Sequence, residues 1–148
     1  MRFRHLFALV LIAAALATAA PASAGPRTGS REMKWTMLHL VNKARRSHGL
    51  RPLRLNAALS KTALRHSGKM AARKAVFHTT DLYDTVRRYR PSHWGENVGM
   101  ASTVRRLHRA FMASAEHRAN ILGKAYRKVG VGLVRSGGYV WGTLIFYG

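Results

Sequence analysis

The 148 residues contain no cysteine. That absence excludes a disulfide scaffold, a thiolate zinc site and a cysteine nucleophile. Acidic residues are also scarce: 5 Asp and Glu stand against 26 Lys and Arg, a formal net charge of +21. So one-sided a balance attracts anionic partners, such as nucleic acid, anionic lipid or cell-wall polymer, and exceeds what solubility requires. There is one long apolar run, at the N-terminus, and nothing after it approaches membrane-spanning length. Internal repeats and low-complexity tracts are missing too. The apolar share is nevertheless 47%, ordinary for a folded domain and too high for general disorder. The length suits one domain with a short tail.

Residues 1–24 have the pattern of a signal peptide. Arg2 and Arg4 form a positive start, Leu6 to Ala20 an uncharged apolar run, and Ala22-Ser23-Ala24 a small-x-small cleavage site. The run is short for a transmembrane anchor. The expectation is cleavage after Ala24 and a secreted, extracellular or cell-envelope protein with no transmembrane span in its mature form. Cleavage removes 24 of 148 residues and Arg2 and Arg4, leaving 124 residues with 24 cations against 5 acids, a net +19. A domain of that size buries enough surface to fold without covalent staples. Residues 25–31 are expected to be a flexible leader, and 32–148 the folded domain.

Periodicity places helices first and strands last. Met33, Met37, Leu40, Val41 and Ala44 share one helical face, and Gly49 ends that helix. Asn56 caps a second helix with Leu59, Ala63, His66 and Met70 as its stripe. Gly68 inside it is explained if another element approaches closely there. The opposite face carries Lys61, Arg65, Lys69 and Arg73. Asp81 to Tyr89 suggests a short helix capped by Thr80, and 93–100 a loop running into a strand. Ser102 is expected to cap a helix carrying Val104, Leu107, Phe111 and Met112, and Ser114 a further short one through Ile121 and Leu122. The segments 129–134 and 139–147 are β-rich and flank Ser136-Gly137-Gly138, a hairpin signal. Helices followed by a hairpin predict an α+β fold with an antiparallel sheet.

The polar groups of chemical interest are His78, Glu96 and the segment from Ser114 to Leu122, which holds His117. If they met, two imidazoles and a carboxylate would suit Zn²⁺ with open positions. No metal-ligand spacing in the sequence requires that meeting.

Six segments in order carry a resemblance. They are Leu40-Val41-Asn42-x-x-Arg45, Leu50-x-Pro52-Leu53-x-Leu55-Asn56-x-x-Leu59, and His78 with Gly95-Glu96-Asn97. Ser-x-x-His-Arg-x-Asn-Ile-Leu (114–122), Val-Gly-Val-Gly (129–132) and Trp-x-Thr-x-x-Phe (141–146) complete the set. Together they resemble the bacterial branch of the CAP superfamily (cysteine-rich secretory proteins, antigen 5 and pathogenesis-related proteins), also called SCP. The resemblance covers Met33 to Gly148. It implies a three-layer α-β-α sandwich around an antiparallel sheet, and a cleft lined by two His and two acids. His78, Glu96 and His117 match three of these. At the fourth position this chain departs from the eukaryotic pattern and has Ser114.

The resemblance implies a binding module rather than an enzyme. Its cleft of His78, Glu96 and His117 would hold a divalent metal, Zn²⁺ or another cation, through His78 and His117, with Glu96 orienting a ligand. Its partners would be anionic cell-envelope components, lipid head groups or a small lipid-like molecule. One alternative is a metal- or serine-dependent hydrolase using Glu96 and His117, with Ser114 as candidate nucleophile. Against that, Ser is a preferred helix cap, and no nucleophile elbow is present. Another alternative is a charge-driven binder of envelope polymers or nucleic acid, although no nucleic-acid-binding motif occurs. His66 and His108 are expected to be partly buried and hydrogen-bonded. Trp94 and Trp141 are expected in the core or cleft. The Arg clusters 45–46, 87–90 and 105–109 are expected on solvated faces.

Overall fold

The computed structural model describes residues 26–148, with side chains from 29 onward. The segment 1–24 lies outside the described residues. The first helix, α1 (Pro26–Ser47), is followed by β1 (Arg54–Leu55), α2 (Ala57–Arg73), α3 (Leu82–Val86) and a 3₁₀ turn (Arg87–Tyr89). Then come β2 (Trp94–Ala101), α4 (Val104–Ala113), α5 (Ala115–Ile121), β3 (Lys128–Ser136) and β4 (Tyr139–Tyr147).

The strands lie in the order β1-β3-β4-β2. β3, β4 and β2 are antiparallel, as expected, and β1 adds a two-residue parallel pair beside β3. The hairpin between β3 and β4 turns on Gly137 and Gly138, at φ +58° and +80°, as a two-residue hairpin turn requires.

Helices cover both faces of this sheet. On one face α2 lies so close to β3 that a Cβ on Gly132 would collide with the backbone of Ala63 and Leu64. The glycines of Val-Gly-Val-Gly therefore admit the helix, while Val129 and Val131 point the other way, into a core with Met37, Val41, Leu107 and Phe111. That opposite layer is α1, α4 and α5. Serines pin α2 to the sheet: the buried Ser67 hydroxyl lies 2.9 Å from both the Gly132 carbonyl and the Thr143 hydroxyl. Gly68 has open space around it, so the expected close approach falls at the sheet glycine instead. Among the described residues no helix is long and apolar enough to cross a membrane.

Several expectations shift. Residues 26–31, expected as a flexible leader, form the opening turns of α1. Proline suits the first turn of a helix, and the Ser30 hydroxyl donates to the Leu133 carbonyl at 2.8 Å. Asp81 rather than Thr80 caps α3, and Thr103 rather than Ser102 caps α4, accepting from the Arg106 amide at 3.1 Å. Asn56 and Ser114 cap α2 and α5 as expected.

Arg45 is the largest departure. It is 1% exposed, not solvated. Its Nε donates to the Arg51 carbonyl at 2.9 Å, and Nη1 to the carbonyls of Ile121 and Gly123 at 2.8 and 3.0 Å. Nη2 lies 3.4 Å from the Tyr126 carbonyl. One guanidinium thus gathers carbonyls from the end of α5 and the loop after it, groups that a helix terminus leaves without partners. Burial first, and then the Arg127 charge, lower its pKa from the ordinary arginine value. Arginine is nonetheless charged at physiological pH.

Candidate functional site

The site forms around β2, the edge strand. Side chains alternate along a strand, so Trp94, Glu96 and Val98 face the α2 layer, and Gly95, Asn97 and Gly99 face α4 and α5. Val98 accordingly packs with Met70 of α2, and Gly99 lies against Phe111 of α4.

The chain leaves α2 through Lys74, in the left-handed conformation at φ 51°. This turn directs Phe77, His78 and Thr79 back over Glu96. Glu96 is buried at 5% exposure and is surrounded by donors. His78 Nδ1 lies 2.9 Å from Oε2, the Thr79 amide donates to Oε2 at 2.9 Å, and the Thr79 hydroxyl donates to Oε1 at 2.6 Å. A carboxylate opposite Nδ1 fixes the proton there, which leaves Nε2 as the outward lone pair. The His78 side chain is 63% exposed.

His117 approaches from the opposite layer. Ser114 caps α5, its hydroxyl oxygen accepting the His117 amide at 3.4 Å. The His117 ring packs on Phe111 with centroids 5.1 Å apart. Its pKa is lowered, first by burial and then by the charge of His78, against a raising influence from Glu116. The charge of His78 thus acts on His117 from the other layer.

The backbone beneath is tied across the strand. Asn97 Nδ2 donates to the His117 carbonyl at 2.9 Å. Asn120 Nδ2 donates to the Glu96 carbonyl at 3.1 Å and to Asn97 Oδ1 at 2.9 Å, and the Tyr126 hydroxyl donates to Asn120 Oδ1 at 3.3 Å. Asn120 thus bonds the backbone of β2. A Cβ on Gly95 would lie 2.5 Å from Asn120 Oδ1, so Gly-Glu-Asn has one reason per residue. The glycine admits Asn120, the acid orients His78, and the asparagine holds α5.

The structure thus groups His78, Glu96 and His117 on one edge. It gives Ser114 a capping role, and both Glu96 oxygens are engaged by His78 and Thr79. Among the described residues no hydrogen bond joins the His117 ring to Glu96 or Ser114. Nor does any group of three or more His, Cys, Asp or Glu lie close enough to hold a metal. The residues that could donate to a cation are His78 and His117; the Nδ1 contact of His78 with Glu96 leaves its Nε2 free to do so, and further ligands would have to come from water or a bound molecule.

Sequence reasoning missed Thr79 and the part played by His66. The buried His66 lies 2.8 Å through Nε2 from the Phe77 carbonyl and 3.5 Å through Nδ1 from the Thr79 hydroxyl. Thr79 had only its place beside His78 to mark it. Trp141 is buried as expected, whereas Trp94 is 42% exposed, its ring 4.9 Å from that of Tyr83, which is also exposed. The expectation that His108 is hydrogen-bonded fails: its Nε2 is buried with no partner. Burial lowers its pKa.

This α-β-α sandwich, with two histidines and a buried glutamate at an edge strand, defines a small domain of the CAP type. The family model described as "Cysteine-rich secretory protein family" matches residues 38–146, and the chain belongs to that family. It is 32% identical over 112 residues to the uncharacterized protein YkwD of Bacillus subtilis, covering 71% of this chain and 43% of YkwD. An extracellular SCP-domain protein from Bacillus anthracis superposes with a TM-score of 0.72 at 21% identity, over 87% of this chain and 45% of that one. A structure of NaASP2 with Zn²⁺ superposes at 0.60 with 14% identity, over 83% of each chain. The chain thus spans less than half the length of YkwD and of the Bacillus anthracis protein.

Proposed function

We propose that this protein is a secreted binding module whose edge cleft takes a divalent cation, Zn²⁺ foremost, together with a lipid or cell-envelope ligand. One observation carries the reading: His78 is oriented through Nδ1 by a buried carboxylate at 2.9 Å while most of its ring stays open to solvent. A carboxylate behind an imidazole is the usual outer support of a metal-binding histidine. The depressed pKa of His117 keeps the second imidazole neutral, the form that coordinates a metal. Bound there, a cation would supply a fixed positive charge for an anionic ligand group. The Zn²⁺ in the NaASP2 structure and the extracellular character of the Bacillus anthracis protein accord with this reading.

Calorimetric titration of the apo protein with Zn²⁺ tests it. The expected result is a saturating heat that the His78→Ala/His117→Ala variant lacks. No heat from the unaltered protein, or equal heat from the variant, refutes the reading. Mass spectrometry of the secreted protein for co-purified lipid tests the ligand class.

A further inference from the structure

A concave feature lies away from His78 and His117. Between the first half of α2 and α3 with its 3₁₀ turn is a groove of about 650 Å³, lined by Lys61, Thr62, Arg65, Asp84, Thr85 and Arg88 among others. Its one acid, Asp84, is taken by Arg87 at 3.2 Å. Among the described residues no carboxylate lies within ion-pair distance of Lys61, Arg65 or Arg88. Both guanidiniums are held from the side. Arg65 donates to the Thr62 hydroxyl at 3.1 Å, and Arg88 donates to the Tyr89 hydroxyl at 2.7 Å and stacks 4.9 Å over its ring.

The groove does not end as an isolated cluster. Lys61, Arg65, Lys69 and Arg73 follow each other at intervals of four along α2, a helix with no acidic residue. Like charges at this spacing repel each other and weaken a helix. A solvated surface with this many cations ordinarily intersperses acids. A chain of anions laid along the row removes the repulsion. At 1.5 Å per residue the row is about 18 Å long with about 6 Å between steps. Arginine forks match phosphate oxygens in pairs. The recess favours a thin strand of polymer over a bilayer, whose flat surface cannot enter it.

We propose that the groove between α2 and α3 binds a linear phosphate-bearing polymer, anchored by Lys61, Arg65 and Arg88 and continued along Lys69 and Arg73. The groove shares no lining residue with the histidine site, the row ends with Arg73 over the Phe77 ring at 5.1 Å, and the proposal stands or falls independently of metal binding by His78 and His117.

The test is fluorescence anisotropy with a short end-labelled inorganic polyphosphate, at low and at physiological salt. Lys61→Gln/Arg65→Gln/Arg88→Gln should weaken binding about tenfold or more at low salt and flatten its salt dependence. Arg105→Gln/Arg106→Gln/Arg109→Gln removes the same charge from exposed positions of α4 and should stay within about twofold of the unaltered protein. His78→Ala/His117→Ala should bind normally. Circular dichroism confirms that each variant is folded. Equal losses in the two triple-glutamine variants would assign binding to net charge alone and overturn the proposal. So would the absence of loss in the groove variant, or no polyphosphate binding by the unaltered protein. Binding to phosphatidylglycerol vesicles without binding to polyphosphate would overturn it in favour of a membrane surface.

Discussion

Asn120, on α5, donates to the main-chain carbonyl of Glu96, on β2, at 3.1 Å. The same glutamate is gripped at its carboxylate by Thr79 and His78 from the other side of the strand. Its backbone is thus fixed by one helical layer and its side chain by a segment following the other.

Asn120→Ala should break this arrangement without emptying the core. It removes donors to Glu96 and Asn97 and leaves the Tyr126 hydroxyl without its acceptor. A cost of about 1–3 kcal/mol is expected. Urea unfolding followed by circular dichroism measures it; an unchanged midpoint would show that α5 is held by apolar packing alone.

Glu96→Gln should reduce Zn²⁺ affinity about 10- to 100-fold, because the amide supports the His78 Nδ1 proton less well. The global fold should survive. If affinity is unaltered while His78→Ala abolishes it, the carboxylate has no part in orienting the ring.

His117 and His108 are both partly buried, and that burial lowers their pKa values from 6.5. Each therefore binds its proton more readily when unfolded. Their contribution is intact above about pH 6.5 and is lost as the pH falls through that value towards the folded-state pKa. The urea midpoint should accordingly drop between pH 7 and pH 5. His108→Leu should shrink that drop and leave stability at pH 7 equal or higher, since Nε2 has no partner to lose. A steeper drop in the variant would contradict this account.

Arg45→Met should destabilise by about 3 kcal/mol or more, because it strands buried carbonyls. Arg45→Lys should not restore the loss: a single ammonium cannot reproduce a planar fork spread over several acceptors. Thermal unfolding compares the three proteins, and a lysine variant as stable as the original would refute the argument.

Much of the fold was legible because local and tertiary signals agree. The double glycine after Ser136 sets the hairpin, and the caps Asn56 and Ser114 stand alone at their positions. Where two cap-forming residues adjoin, as at Ser102-Thr103 and Thr80-Asp81, packing of the helix decides the register, and sequence misses by one. Arg45 departs from the expected solvated face because its position outweighs its charge. It continues the step from Met37 to Val41, so its place on the inner face was available in the spacing. The histidines and Glu96 were legible only through resemblance. Their proximity depends on how two layers meet around an edge strand, and no periodicity reports that. Thr79 and His66 escaped for the same reason. The α2 cations were visible, but their convergence with Arg88 needed the fold.

The placement of β2 at the margin of the sheet has a mechanical consequence. His78 belongs to the segment behind one layer and His117 to the other, so a ligand gripping both would fasten the two across an open seam. Occupancy would act as a clasp: it would raise the unfolding temperature with the logarithm of ligand concentration over Kd and slow hydrogen exchange on both sides of the strand, not at the two rings alone.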